Sequence, residues 1–150
     1  LIEACTRAGA TSAGADTDIV EALAAYGNHL GLAFQIRDDM FDYTPGGLFG
    51  KPALNDVKEQ KITLPLLAAM RNATAEERAD MLRKIRRHPK DDATAEAAIG
   101  MVHAHGGMDY AKKMMTHFAD LAKADLTPVP DSEAREALAN LVDYNTGRTV

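Results

Sequence analysis

Three aspartates at the end of a predicted helix form the part of this chain best suited to chemistry. Asp38, Asp39 and Asp42 follow the apolar residues of a helical segment. Carboxylates packed together repel one another, and these also lie where the helix dipole disfavours negative charge. A hard divalent cation would offset both effects, and Mg²⁺ usually takes one or two carboxylates together with phosphate oxygens. The cluster therefore predicts a Mg²⁺ site, and a solvated acidic helix end is the alternative.

Two lysines follow the aspartates, within and after a loop that can bring them back toward the acidic end. Lys51 comes directly after Gly50, and Lys61 lies just before the next predicted helix. The glycines and prolines of this loop permit tight turns, and a helix start offers backbone N–H groups that favour anions. Either lysine alone would be an ordinary surface residue. Together with the aspartates, the two lysines predict a diphosphate bridged by Mg²⁺.

Two glycines on the same helix mark a face where something must come close. At about 100° per residue, Gly27 and Gly31 share a stripe with Asp38, and Gln35 flanks that stripe. A glycine inside a helix costs about 1 kcal/mol relative to alanine, so the pair needs a reason. One interpretation is close packing against a neighbouring helix. The other is a shallow channel for an apolar tail whose charged head lies at the aspartates.

Helical periodicity and capping residues define the elements that must position these groups. The predicted helices span residues 1–8, 19–42, 64–72, 74–88, 95–105 and 108–126, with a last helix from Asp131 or Ser132. Gly9 and the small-residue loop up to Gly14 are expected to close the first helix, and Thr74 with Glu77 forms a capping box. The acidic doublet Asp91-Asp92 is expected in a loop. The sequence therefore predicts an all-α helical bundle.

The composition supports this fold class and excludes several functions. The chain has 150 residues, of which 46% are hydrophobic and 5% aromatic, and its net charge is −5. This size fits one core, and the scarcity of aromatic residues favours helices over a β-sandwich. The acidic balance argues against nucleic-acid binding. The single Cys5 suits a reducing cytoplasm, and neither a secretory signal nor a transmembrane segment is evident.

The segment 34–67 resembles the second aspartate-rich region of the trans-isoprenyl diphosphate synthases, which elongate prenyl chains. The resemblance rests on FQIRDDMFD, GKPALND and KITLPLL, which occur in the family's order and spacing. GGMDYAKKM and PDSEAREALANLVDY resemble the family's last two helices more weakly, and LIEACTRAGA resembles the segment after the family's Lys-Thr pair. The resemblance covers the whole chain but only the C-terminal half of such an enzyme. It is greatest to the long-chain, octaprenyl-type polyprenyl synthases.

The resemblance implies an isoprenoid-synthase-type helical fold. Residues 1–150 would then be the C-terminal portion of a single polyprenyl synthase domain. It also implies that Asp38 ligates Mg²⁺, and that Asp39 and Asp42 ligate the ion or orient its water shell. The family's enzymes are homodimers, so a homodimer is expected for this chain as well.

The resemblance also implies a substrate pair and the residues that hold it. Phe34 and Gln35 would contact the allylic substrate, and Lys51 and Lys61 would grip its diphosphate. The metal would draw charge from the leaving diphosphate, and the double bond of isopentenyl diphosphate would attack the allylic cation. A magnesium-dependent prenyltransferase is therefore the function that the resemblance implies.

The chain departs from the family pattern in one important respect. The family's first aspartate-rich motif is absent, and Asp91-Asp92 has no third acid. We therefore expect the 150-residue chain to be inactive alone, and its start at Leu1 suggests a truncated sequence. The alternative function is a non-catalytic helical subunit or a dimerisation partner of a complete synthase. Class I terpene cyclases share acidic helix ends but lack this lysine loop, so they rank third.

Overall fold

The computed structural model describes residues 1–44 and 55–147, and all regular structure in these ranges is helical. The helices are α1 Ile2–Ser12, α2 Thr17–Phe41, α3 Asn55–Lys58, α4 Leu64–Asn72, α5 Ala75–Arg87, α6 Asp92–Ala104, α7 Gly107–Asp125 and α8 Glu133–Gly147. The all-α prediction is confirmed. Among these helices, none has the length and apolar character needed to cross a membrane. The predicted loop that contains Lys51 lies outside the described residues from position 45 onward.

The capping box predicted at the start of α5 is present. The Glu77 N–H donates to Thr74 Oγ1 at 3.2 Å, and the Thr74 N–H donates to the Glu77 carboxylate at 2.9 Å. Both hydrogen bonds satisfy backbone or side-chain groups that a helix start would otherwise leave unpaired. The bounds of α4, Leu64–Asn72, also agree with the sequence prediction.

The predicted end of the first helix at Gly9 is wrong, because α1 continues to Ser12. A glycine can adopt helical angles, so its presence alone does not stop a helix. The stop comes at Gly14, whose φ of 70° lies in the left-handed region. The Ala15 N–H then donates to the Ala10 carbonyl at 3.1 Å, which is the closing hydrogen bond of a Schellman motif.

The prediction that Asp91 and Asp92 lie in a loop is also wrong for Asp92. Helix α6 begins at Asp92, and Asp91 is its N-cap residue. The Asp91 carbonyl accepts the N–H groups of Thr94 at 3.0 Å and Ala95 at 3.2 Å. Acidic residues stabilise the positive end of a helix, and this explains the doublet without a metal.

Contacts within the chain group the helices into two compact units. The first unit contains Leu1–Gln35 together with the chain from Met114 to the end of α8. Its core is formed by Tyr26, Leu30, Ala119, Ala122, Leu126 and Val142. The Tyr26 hydroxyl donates to the Leu138 carbonyl at 2.9 Å, so the buried phenol of α2 is also tied to α8.

The second unit contains Ile36–Lys113, and its core lies among α3, α4, α5 and α6. The fully buried members of this core are Tyr43, Val57, Leu66, Ala69, Ala98 and Val102. Gly107 starts α7 directly against α4, since a Cβ at this position would lie 2.3 Å from the Pro65 carbonyl oxygen. The second unit contains all the predicted metal ligands and Lys61.

Candidate functional site

The three predicted metal-binding aspartates lie at the C-terminal end of α2. Asp38 and Asp39 belong to its last turn, and Asp42 is the first residue after it. All three side chains are partly buried. Negative charges at this end of a helix are disfavoured by the helix dipole, and their mutual repulsion adds to the cost. The local electrostatics therefore favour a cation at this position.

Asp42 is held by the main chain of α3. Its Oδ2 accepts the backbone N–H of Asp56 at 3.0 Å. Burial raises the pKa of Asp42 above its usual value, and the carboxylates of Asp56 and Asp39 raise it further, while the Asp56 N–H lowers it. The ionised form of Asp42 is thus costly in the protein alone, and a bound cation would relieve that cost.

Asp38 lies beside a buried arginine on the same helix. Arg37 Nη2 donates to Asp38 Oδ1 at 3.3 Å, and the guanidinium lies 5.6 Å from the centre of the Phe41 ring. The Arg37 side chain is 7% exposed, whereas that of Asp38 is 42% exposed. Arg37 therefore screens part of the acidic charge from within the fold, and the Asp38 carboxylate stays accessible to a ligand in solution.

Tyr43 ties the acidic end of α2 to the start of α4. Its hydroxyl oxygen lies 3.2 Å from Thr63 Oγ1, within hydrogen-bonding distance, and the ring is fully buried. His103 Nε2 lies 3.2 Å from the Tyr43 carbonyl oxygen. Burial raises the pKa of Tyr43 to about 12, and nearby carboxylates including Asp42 and Asp56 add to the shift. The phenol therefore stays neutral and serves as a fixed structural link.

Lys61 is connected to Asp42 through a single intermediate residue. Lys61 Nζ lies 3.7 Å from Asp56 Oδ1 and 2.6 Å from Glu59 Oε2. The Lys61 N–H also donates to the Asp56 carbonyl at 2.8 Å. The Glu59 carboxylate, followed by that of Asp56, raises the pKa of Lys61, so its ammonium is charged at neutral pH. The structure thus links Lys61 to the acidic end of α2 through Asp56, and the roles predicted for these residues stay predictions.

The remaining predicted residues have different surroundings. Lys51 lies outside the described residues. Phe34 and Gln35 are exposed and belong to the first unit, although they lie on α2 with the aspartates. Lys58, the other lysine of this segment, lies 4.0 Å from Asp92 Oδ1 on α6 rather than beside the α2 aspartates.

The donor chemistry of this site suits a cation that the protein shares with a ligand. Within residues 1–44 and 55–147, no group of three or more His, Cys, Asp or Glu side chains is arranged to hold a metal alone. Mg²⁺ does not require such a group, because one or two carboxylates, water and phosphate oxygens complete its octahedron. Asp38 and Asp39, both partly buried at the helix end, offer these oxygens. The residues therefore fit Mg²⁺ bound together with a phosphate group.

A groove of about 570 Å³ lies along α2 in the first unit. The groove is lined from α2 by Gly27, Asn28, Gly31, Leu32, Phe34 and Gln35, and by residues at the start of α1. Leu32 and Phe34 are exposed apolar side chains on this surface. Such a lining suits a hydrocarbon group, because burying apolar surface contributes roughly 25 cal/mol per Å².

The two glycines beside this groove have different roles. A Cβ at Gly27 would lie 2.3 Å from Thr6 Oγ1 and 2.8 Å from the Glu3 Cα, so α1 packs directly on this position. A Cβ at Gly31 would meet Ile2 Cδ1 at 3.8 Å, an ordinary contact distance. Close helix packing therefore explains Gly27. It does not explain Gly31, which stays compatible with a channel.

Sequence reasoning missed the residues that connect the site. Asp56, Tyr43 and Thr63 join the end of α2 to the following segment. The alternation of polar residues before α4 was a signal for Asp56, although it did not indicate a partner. Gln60 adopts a φ of 61°, in the left-handed region. Glycine and asparagine are the residues that usually adopt this conformation, so a glutamine gave no indication of it in the sequence.

The chain is similar in sequence to known proteins of one family. A family model described as polyprenyl synthetase matches residues 1–102. The nonaprenyl diphosphate synthase of Mycobacterium tuberculosis is 37% identical over 150 residues, which cover 99% of this chain and 44% of that protein. The octaprenyl diphosphate synthase of Escherichia coli is 35% identical over 142 residues, covering 94% of this chain and 44% of that protein. The chain therefore spans less than half the length of these relatives.

Solved structures share the same helical arrangement. A decaprenyl diphosphate synthase from Rhodobacter capsulatus matches with a TM-score of 0.89 at 34% identity, covering 99% of this chain and 46% of that chain. A polyprenyl synthase from Caulobacter crescentus, complexed with calcium and isoprenyl diphosphate, matches with a TM-score of 0.86 at 39% identity. This match covers 99% of the present chain and 46% of the Caulobacter one.

Proposed function

Because this chain belongs to the polyprenyl synthetase family, we propose that it acts within a prenyltransferase that joins isopentenyl diphosphate to an allylic diphosphate. The observation that carries the proposal is the chain of contacts from Asp42 through Asp56 to Lys61. These contacts link Asp42 to an ammonium of the kind that binds phosphate, and they support the proposal that the α2 carboxylates and Lys61 act on one ligand. The octaprenyl and nonaprenyl products named for two relatives support a trans-polyprenyl diphosphate as the product.

In this proposal Asp38 and Asp39 hold Mg²⁺, and Asp42 ligates it or orients its water. Bound Mg²⁺ supplies positive charge that stabilises the diphosphate as it leaves the allylic carbon. The Caulobacter structure, which contains calcium and isoprenyl diphosphate, supports a divalent cation together with a diphosphate ligand. Arg37 offsets part of the negative charge of the acidic cluster when no cation is bound, because it pairs with Asp38.

Lys61 and Lys51 hold the diphosphate in the proposed reaction. An ammonium donates charge-assisted hydrogen bonds to phosphate oxygens, and these strengthen as the allylic C–O bond breaks. The double bond of isopentenyl diphosphate then attacks the allylic carbon, and a proton is lost. Phe34 and Gln35 are assigned to the allylic substrate, and the apolar groove beside them supports a hydrocarbon ligand in the first unit.

The proposal includes a homodimer in the cytoplasm without a nucleic-acid partner. Exposed apolar side chains at Leu141 and Tyr144 of α8 are compatible with a subunit contact. The single cysteine, Cys5, is exposed and forms no disulfide, which suits a reducing compartment. Sedimentation equilibrium tests the dimer: a single species of monomer mass at micromolar concentration would contradict this part of the proposal.

The second candidate is a non-catalytic partner of a complete synthase. It is favoured by the presence of only one aspartate-rich motif in the sequence. We predict that the 150-residue chain, supplied with Mg²⁺, farnesyl diphosphate and isopentenyl diphosphate, forms no elongated product. Appreciable turnover in a radiolabelled isopentenyl diphosphate assay would contradict this prediction and remove the reason for the second candidate.

Calorimetric titration of inorganic pyrophosphate, with and without Mg²⁺, tests the site itself. We expect binding to require Mg²⁺ and to weaken about 10-fold or more in Asp38→Ala and Lys61→Ala, since a hydrogen bond to a charged group contributes about 1.5–3 kcal/mol. Asp120→Ala and Lys112→Ala, at exposed positions of α7, are matched controls and should bind as the wild type does. Equal losses in the controls, or Mg²⁺-independent binding, would refute the proposed site.

A further inference from the structure

The segment that carries Lys61 is fixed by main-chain hydrogen bonds at both of its ends. At its start, the Asp56 N–H donates to Asp42 at 3.0 Å. At its end, the N–H of Lys61 donates to the Asp56 carbonyl at 2.8 Å, and the N–H of Gln60 donates to the Val57 carbonyl at 3.0 Å. Asp56 therefore contacts the acidic helix end and the lysine at the same time.

Gln60 gives this turn its shape. Its φ of 61° makes it the one non-glycine residue in the left-handed region among the described residues. Its side-chain Nε2 donates to the carbonyls of Ile85 and Arg86, each at 3.4 Å, at the C-terminal end of α5. A strained non-glycine conformation persists only where the surroundings hold it, and such residues concentrate at functional sites. The contacts of Gln60 with the end of α5 therefore hold the turn before Lys61 in this conformation.

Two carboxylates lie near Lys61, but they are not equivalent. Glu59 is the closer, at 2.6 Å, and its side chain is 61% exposed. Asp56 is at 3.7 Å, and its side chain is 26% exposed. An exposed pair is screened by water and can separate by a rotation of the glutamate side chain. Asp56 has less freedom, because its side chain is shorter and less exposed and its backbone is hydrogen-bonded to Asp42 and Lys61.

We propose that Asp56 is a positioning residue that holds the Lys61 ammonium beside the acidic end of α2. The proposal rests on the proposed function, in which Lys61 grips a diphosphate. Asp56 restricts the lysine to conformations near the site before the ligand arrives, so less side-chain freedom is lost on binding. The exposed Glu59 is the carboxylate that an incoming diphosphate displaces from Lys61.

A double-mutant cycle on pyrophosphate affinity, measured by calorimetry with Mg²⁺ present, tests this role. Asp56→Asn retains the size of the side chain and the main-chain N–H and carbonyl groups, and removes the charge. We expect it to weaken binding about 5-fold in the wild-type background and less than about 2-fold in the Lys61→Ala background, because contacting residues couple. Glu59→Gln, the matched control, should bind at least as tightly as the wild type.

The outcomes separate the two proposals. If Lys61→Ala binds pyrophosphate as the wild type does, the assignment of Lys61 in the proposed function fails and the positioning role fails with it. If Lys61→Ala weakens binding but Asp56→Asn has the same effect in both backgrounds, or no effect, only the positioning role is overturned. Asp56→Glu retains the charge and should bind within about 2-fold of wild type. A loss equal to that of Asp56→Asn would also overturn the positioning role.

Discussion

In the first unit, Glu21 and Asp125 each have a basic partner, whereas the acidic end of α2 in the second unit brings three aspartates close together in sequence. In the first unit, Arg7 donates two hydrogen bonds to Glu21, at 2.6 and 3.0 Å. His29 Nδ1 lies 2.6 Å from Asp125 Oδ2, and both side chains are largely buried. Each of these carboxylates has a basic partner within hydrogen-bonding distance, which is the arrangement expected of a structural surface.

The acidic end of α2 differs in the number of carboxylates that it brings together. Asp38, Asp39 and Asp42 occur within five positions, and Asp42 is stabilised by a backbone N–H rather than by a cation. Burial is the main reason that the pKa of Asp42 is raised, and the carboxylates of Asp56 and Asp39 raise it further. Proteins tolerate such violations where a function requires them, and stability lost there is supplied by the rest of the fold. The difference between the two regions is consistent with the ligand site proposed for the end of α2.

The packing of the first unit is most sharply tested at its two α2 glycines. We expect Gly27→Ala to lower the free energy of unfolding by about 2–3 kcal/mol, because the added methyl would overlap α1. Gly31→Ala should instead be neutral or stabilise the protein by up to about 1 kcal/mol, through helix propensity. Urea unfolding measures both values. Equal effects at the two positions would contradict the packing described for α1.

The buried tyrosines give one pH-dependent probe in each unit. Burial raises the pKa of Tyr26 and of Tyr43 to about 12, so the fold favours the neutral phenols. The folded state binds these protons more tightly than the unfolded state does. The contribution of the two phenols to the free energy of unfolding is therefore fully present below the unfolded pKa of about 10, and it is lost as the pH rises through 12.

Phenylalanine substitutions separate these two contributions. Tyr26→Phe and Tyr43→Phe should each lower the free energy of unfolding by about 1 kcal/mol at pH 7, because each loses a hydrogen bond. In each variant the free energy of unfolding should also fall less steeply above pH 10 than in the wild type. Urea unfolding at pH 7, 10 and 11.5 measures this fall. A decline as steep as in the wild type, in both variants, would show that these phenols are not the groups responsible.

The smallest expected change in stability comes from comparing one aspartate in each unit, Asp42 in the second and Asp125 in the first. The pKa of Asp42 is raised, so its ionised form destabilises the folded state above that pKa, and the cost disappears as pH falls through it. Asp42→Asn should therefore raise the free energy of unfolding at pH 7, by less than about 1 kcal/mol for a partly exposed group. Asp125→Asn should lower it, because His29 loses its charged partner. Destabilisation of both variants to the same degree would remove the contrast between the regions.

The sequence predicted elements whose signals are local. Thr74 and Glu77 fix the start of α5 through hydrogen bonds four residues or fewer apart, and Pro65 lies in the first turn of α4 as expected. The error at Gly9 arose because a glycine permits a helix end without requiring one. The positive φ at Gly14, which does end α1, is a property of the folded backbone rather than of residue type.

The candidate site was predicted in its residue types but not in its connections. The three aspartates were identifiable because their charges conflict with helix electrostatics, and Lys61 because it lies just before a helix start that favours anions. The links through Asp56 and Tyr43 depend on how the segment after α2 folds back, over 14 residues in one case and 20 in the other. Contacts between residues so far apart in sequence have no local pattern, so only the structure reveals them.

Crystals of this chain grown with Mn²⁺ and inorganic pyrophosphate would test the central claim most directly. Mn²⁺ takes the same oxygen ligands as Mg²⁺, and its anomalous scattering locates it. We predict a Mn²⁺ ion on at least one carboxylate of Asp38, Asp39 or Asp42, with pyrophosphate completing its coordination and Lys61 Nζ donating to the same anion. Pyrophosphate bound away from Lys61, or Mn²⁺ with no ligand from α2, would contradict the account.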